Sequence, residues 1–152
     1  MNYKKFGKLD FKKFHPGGSL SIKLKTVEDL MLTKNKIPFV NENTTMKIAL
    51  KNIEKKGLGA LVIRDKYYNT KGILTDGDLK RLSNLKSDFK NLEIKKVMKK
   101  KPISVDKDML VAQALSIMND KKITSLCVHQ SNKKNKTIGF IHIHSILNSN
   151  IS

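Results

Sequence analysis

Apolar residues recur along this chain in two copies of one pattern. In the first copy Met46, Ala49, Leu50 and Ile53 fall at i, i+3, i+4 and i+7, one face of a helix. In the second, Val111, Ala114, Leu115 and Met118 repeat that spacing. A short β-rich run follows each helix, Leu61–Arg64 in one copy and Ser125–Val128 in the other. After a polar loop comes a second run, Gly72–Thr75 and Ile138–His142, so each pair of runs predicts two antiparallel strands. Thr44 is expected to cap the first helix and Gly57 to stop it, with Asp106 or Asp108 capping the second. A short helix closes each copy, over Asp78–Asn84 and Ser145–Asn148.

Aligning the copies makes the repeat explicit. "IPFVNENTTMKIALKNIEKKGLGALVIRD" from Ile37 matches "KPISVDKDMLVAQALSIMNDKKITSLCVHQ" from Lys101, each with Pro in second place. Ala49-Leu50 falls on Ala114-Leu115, and "KGILTDGDLKRL" falls on "TIGFIHIHSIL". A similar lead precedes each copy, Val27–Met31 and Val97-Met98. The expected fold class is therefore mixed α/β (α+β), two β-α-β-β-α repeats. A leader over 1–26 is followed by repeat one over 27–86 and repeat two over 87–152. One such unit alone leaves a sheet face uncovered, so the repeats are expected to share a core.

Composition narrows the setting. The 152 residues suit one compact domain or two small repeats. No apolar run is long enough to span a bilayer, and "MNYKKFGKLDFKKF" lacks the apolar stretch of a secretory signal. The single cysteine, Cys127, excludes an internal disulfide and fits a reducing compartment, so a cytoplasmic location is expected with no membrane partner. The net charge of +18 could mark a nucleic-acid binder. However, only Arg64 and Arg81 are arginine, and the lysines spread along the whole chain with little aromatic interleaving. That favours biased residue usage and leaves a basic nucleic-acid-binding module as an alternative.

Several stretches carry a family likeness. "GILTDGDLKR", "KKGLGALVI", "DKKITSLCV" and "IGFIHIHSIL" resemble the CBS domain, from Val27 to the C-terminus. "HPGGSL" at His15–Leu20, Val27–Met31, Gly57–Gly59, Gly72–Arg81, Val97-Met98, Ile123-Thr124 and His142–His144 are similar, in order and spacing, to the C-terminal region of the arabinose-5-phosphate isomerase family. The resemblance implies a tandem CBS pair with pseudo-two-fold symmetry. It further implies a nucleotide or nucleotide-sugar effector held between the repeats, no cofactor, and a homodimer formed through CBS pairs. In that family a sugar isomerase (SIS) domain carries most of the catalytic site and acts in the Kdo sugar pathway of lipopolysaccharide. This chain begins at the tail of that domain, so the region alone is expected not to catalyse the isomerisation. A stand-alone structural or oligomerisation module with no ligand is the alternative.

The candidate residues follow. By resemblance, Thr75 and Asp78 form a Thr-x-x-Asp clamp for a ribose. The chemistry is apt, since a carboxylate accepts from two vicinal hydroxyls, while a hydroxyl and the N–H groups of a helix start hold phosphate. The plainer reading is a helix cap with Asp76-Gly77 as the turn. The resemblance adds Ile103, Ile123, Thr124 and Ser125 as the other half of the site, the two isoleucines flanking a base; core packing is their plainer reading. Repeat two offers His142 and Ser145 where repeat one has Thr75 and Asp78, so its cleft is expected to be altered, suiting an anion if a histidine is protonated. His142 and His144, two apart on an expected strand, would face one way, but no third ligand makes a metal site. His15 is similar to a histidine of the isomerase sugar site; with its partners missing, a Pro-Gly-Gly turn is its plainer reading. Cys127 reads as a small core residue.

Overall fold

The computed structural model describes residues 24–85 and 88–151. In chain order the elements are α1 (Val27–Leu30), β1 (Phe39–Asn41), α2 (Met46–Lys56), β2 (Ala60–Arg64), β3 (Thr70–Thr75) and α3 (Asp76–Leu85). They continue with β4 (Lys99–Lys100), β5 (Ser104–Asp106), α4 (Val111–Lys121), β6 (Ser125–His129), β7 (Gly139–His142) and α5 (Ile143–Ile151). Each repeat is thus β-α-β-β-α, as its periodicity predicts. The chain divides into two compact units.

One unit, built on repeat one, takes residues 34–103 and 135–137. Its sheet runs β1-β2-β3-β4, with β1 parallel to β2 and the other pairs antiparallel. The parallel pair follows from the helix between β1 and β2, a crossover that returns the chain in the same direction. Met46, Ala49 and Ile53 of α2 are buried with Leu61, Ile63, Leu74 and Ile94. α2 ends at Gly57 with φ 66°, a left-handed stop that glycine adopts without penalty.

The other unit, built on repeat two, contains the described residues up to Thr33, residues 104–134 and those from Ile138 onward. Its sheet runs β5-β6-β7, β5 parallel to β6 and β6 antiparallel to β7. Val111, Ala114, Leu115 and Met118 of α4 are buried with Leu126, Val128, Ile141 and Ile146. Cys127 is fully buried.

The lead segments are exchanged between repeats. Val27, ahead of repeat one, is buried in the repeat-two core, while Val97 and Met98, ahead of repeat two, pack on the repeat-one core. The backbone bonds match copy for copy. Met46 N–H donates to the Leu92 carbonyl at 2.8 Å, and Val111 N–H donates to the Lys25 carbonyl at 3.0 Å. Two caps also differ from the expectation. α2 starts after Thr45 rather than Thr44, and α4 after Leu110 rather than Asp106 or Asp108. A leading backbone carbonyl accepts the first helical N–H in each case, and at α4 the Gln113 side chain accepts the Leu110 N–H at 3.3 Å. The Asp106 carboxylate instead accepts the Asp108 N–H at 2.8 Å in a local turn.

The closing helices begin earlier than expected, at Asp76 and Ile143. Asp76-Gly77 makes no turn: β3 runs straight into α3, and Asp76 N–H donates to the Gly59 carbonyl at 3.0 Å. Ile143 N–H donates in the same way to the Thr124 carbonyl at 2.8 Å.

Candidate ligand-binding site at the strand-to-helix junction

In repeat one, Thr75 ends β3 and Asp78 lies in the first turn of α3. The two are reciprocally bonded. Thr75 N–H and Thr75 Oγ1 each reach Asp78 Oδ2 at 3.0 Å, and Asp78 N–H donates to Thr75 Oγ1 at 3.3 Å. This is a capping box, which satisfies two helix-start donors at once. The other carboxylate oxygen, Oδ1, faces two cations: Arg81, one turn along α3, and Lys99 Nζ of β4 at 3.3 Å. Asp78 itself is 6% exposed, whereas the Arg81 and Lys99 side chains are 63% and 65% exposed. Burial pushes the Asp78 carboxyl up, but the bonds from Thr75, Arg81 and Lys99 together outweigh it and hold it below its ordinary value. The junction is therefore a buried, charged carboxylate with one oxygen committed to the helix and the other held by cations free to swing into solvent.

A second Thr-x-x-Asp occurs at Thr26–Asp29. There too Thr26 N–H donates to Asp29 Oδ2, at 2.8 Å. Asp29 is exposed and no cation is paired with it among the described residues. The capping geometry is thus common to both motifs, while burial and the cation pair distinguish Thr75 and Asp78.

Repeat two places other groups at the equivalent junction. His142 ends β7, opposite Ser125 of β6, just as Thr75 lies opposite Ala60. His144 is not on the strand as expected but in the first turn of α5. Its N–H donates to His142 Nδ1 at 3.1 Å, and the rings meet edge to face with centroids 4.7 Å apart. The His142 ring thus caps the helix. Burial, aided by His144, holds the His142 imidazole below its ordinary pKa, so it sits neutral with Nδ1 as acceptor. The condition on which this cleft would suit an anion, a protonated histidine, is therefore disfavoured at His142. Ser145 is half-buried on α5. No group of three histidine, cysteine or acidic side chains among the described residues could hold a metal ion.

The remaining candidates divide between the units. Ile103, at the end of the repeat-one unit, is 38% exposed, so core packing does not describe it. Ile123 is half-buried against the repeat-two core, Thr124 is half-buried, and Ser125 is buried. His15 lies outside the described residues.

The sequence reading missed three residues. Lys99 joins Asp78 only because β4 returns beside β3, which no local motif signals. Arg81 could have been read from its i+3 spacing to Asp78. His129, at the end of β6, is buried with Nδ1 2.7 Å from Ser104 Oγ; burial lowers its pKa, Asp106 opposes that, and Lys134 adds to it.

Comparison with known proteins agrees with the fold. The family model described as "CBS domain" matches residues 27–84 and 94–151. Arabinose 5-phosphate isomerase KdsD of Salmonella typhi is 38% identical over 143 residues, 93% of this chain and 43% of the relative. The chain thus spans less than half the length of that curated relative. Among solved structures, an uncharacterized conserved protein from Pyrococcus horikoshii superposes with a TM-score of 0.77 at 24% identity, covering 95% of this chain and 61% of that one. CBSX2, a CBS-pair protein of Arabidopsis thaliana crystallised in a complex with AMP, superposes with a TM-score of 0.72 at 21% identity, covering 83% and 96%. Matched in both repeats and folded in each as β-α-β-β-α, the chain belongs to the CBS-domain family, and its tandem repeat is of the kind found in arabinose 5-phosphate isomerase KdsD.

Proposed function

We propose that this chain is a regulatory CBS pair of an arabinose-5-phosphate isomerase-like protein, binding a nucleotide or nucleotide-sugar at Thr75 and Asp78. The observation that carries the reading is the buried Asp78 carboxylate whose Oδ1 is held only by exposed cations. A ribose diol takes the place of Arg81 and Lys99 at Oδ1, while Oδ2 keeps its bonds to Thr75. The displaced cations then face the ligand phosphate, where Arg and Lys are suited. The structure of CBSX2 with AMP supports an adenine nucleotide as the first ligand to test. Ile103, in the same unit as Thr75 and Asp78, is proposed to flank the base. Binding would bias the isomerase of a full-length protein in the Kdo pathway only through unequal affinity for its states.

The test is thermal shift and calorimetry with AMP, ATP, S-adenosylmethionine and a cytidine nucleotide-sugar. A ligand at a hundred times its Kd stabilises the fold by about 2.7 kcal/mol. Asp78→Asn should abolish that gain while Asp29→Asn leaves it intact. Silence of every ligand on the wild-type chain would sink the reading.

A second reading, a structural or oligomerisation module without ligand, is favoured by the capping box at Thr26–Asp29. It shows that a Thr-x-x-Asp can serve its helix alone. That reading predicts that Asp78→Asn lowers stability and changes nothing else.

A further inference from the structure

The far end of the repeat-one sheet carries a group that the junction does not use. Arg64 ends β2, opposite Thr70, whereas Thr75 lies at the other end of β3. Its guanidinium carbon lies over two rings, with Cζ 3.8 Å from the Phe39 centroid and 4.2 Å from that of Tyr68. Among the described residues the guanidinium makes no hydrogen bond or ion pair to a protein oxygen. A shallow pocket opens here, lined by Phe39, Asn41, Arg64, Asp65, Lys66 and Tyr68.

The loop that holds Tyr68 is built firmly. Asp65 Oδ1 accepts the N–H groups of Tyr67 and Asn69, each at 2.9 Å, and Oδ2 accepts Asn69 Nδ2 at 3.3 Å. Asp65 N–H and Tyr68 N–H close the turn on the Asn69 and Asp65 carbonyls at 2.9 and 3.0 Å. Tyr68 is left at φ 67°, a conformation costly for a ring-bearing residue. Tyr68 as a residue is 63% exposed, and its ring lies beside Arg64 rather than in the core.

We propose that the Arg64 pocket recognises a carboxylate. The two rings pack about the guanidinium carbon, and the N–H donors along one edge of a guanidinium match two coplanar oxygens. The charge count agrees. Arg64 and Lys66 bring two positive charges, and Asp65 brings one negative charge whose oxygens are already engaged. One carboxylate leaves the pocket neutral. Asn41 adds a donor: its Oδ1 accepts the Asn43 N–H at 2.9 Å, which leaves the amide NH2 for a ligand.

The chain has only two arginines, so a 1H–15N spectrum of the full chain shows two Nε–Hε signals, and Arg64→Lys deletes the one to follow. Sodium acetate is titrated against sodium chloride at constant ionic strength. The Arg64 signal should move saturably with acetate and not with chloride. Tyr68→Gly keeps the left-handed backbone but removes one ring, and should weaken acetate binding about two- to fivefold, the loss of one exposed cation–π contact. An acetylated triglutamate peptide then separates the sources. Binding at least tenfold tighter than acetate identifies an acidic segment of a partner protein, and equal binding identifies a free carboxylic acid. A signal that does not saturate, responds equally to chloride, or prefers inorganic phosphate to acetate overturns the proposal.

Discussion

Glycines 72 and 139 are equivalent in the two repeats, yet they should respond differently to the same substitution. A Cβ built on Gly139 meets three atoms of one side chain first: Met31 Sδ, Cγ at 2.9 Å and Cε at 3.1 Å. Ordinary carbon contacts lie near 3.5–4.0 Å, so the methionine must move to admit it. On Gly72 the Cβ meets Met98 Sδ at 2.5 Å but also the Lys99 carbonyl oxygen at 2.6 Å. Either Gly→Ala change should cost about 1–3 kcal/mol by overpacking. The difference emerges on truncating the methionine. Met31→Ala alone loses packing of about 2 kcal/mol, the low end for a half-buried methionine. In Gly139→Ala/Met31→Ala the new methyl occupies vacated space, so the double variant should be about 1–2 kcal/mol more stable than additivity. Met98→Ala should rescue Gly72→Ala by less than about 0.5 kcal/mol, because the carbonyl is fixed by the pairing of Ile73 with Lys99. Urea denaturation reads this directly: at a slope near 2 kcal/mol/M, 2 kcal/mol moves the midpoint about 1 M. Strict additivity at 31 and 139, or equal rescue at both glycines, would refute the exchanged packing of the lead segments.

Three further outcomes are expected. Lys122 ends α4 at φ 57°, so Lys122→Gly should stabilise the chain by about 0.5–1 kcal/mol in a urea melt. The His142 imidazole should titrate by NMR below its ordinary 6.5. Because its folded pKa is depressed, its contribution is whole above 6.5 and is lost as pH falls through the folded value, so stability should decline from pH 7 to 5; a midpoint at or above 6.5 contradicts the neutral cap. Asp78 is also depressed, so its contribution is present above about 3.8 and lost as pH falls through the folded value. Asp78→Asn should therefore be less stable at pH 7 and show a shallower acid limb below pH 4, and an unchanged limb would mean the carboxylate is not held as described.

Local order was legible along the chain, and long-range order was not. The helical faces at Met46–Ile53 and Val111–Met118 follow from periodicity, because burying one face requires one spacing regardless of what covers it. Gly57 was readable as a stop for a similar reason: φ 66° is cheap for glycine alone. The caps at Thr44, Asp106 and Asp108 were misread because α2 and α4 start where Met46 and Val111 meet the Leu92 and Lys25 carbonyls, contacts that no local motif signals. The two histidines were misread because strand alternation was extended past the point where α5 begins. Thr75 and Asp78 could be paired from the sequence, since three residues span one helical turn. That Asp78 is buried beneath Arg81 and Lys99 could not.

What the sequence by itself determined is the repeat: two copies of one β-α-β-β-α unit, each with its apolar faces and its glycine at the start of the last strand. Tertiary structure alone decided which lead covers which copy. Val27–Met31 and Val97-Met98 are similar leads that share a valine and a methionine, and neither carries a local signal for packing on one repeat rather than the other. The choice rests on backbone bonds and side-chain contacts made across the fold: Lys25 to Val111, Leu92 to Met46, and a methionine seated over each glycine. Those contacts also bring Lys99 to Asp78, and with it the charge that sets the candidate site apart from an ordinary helix cap.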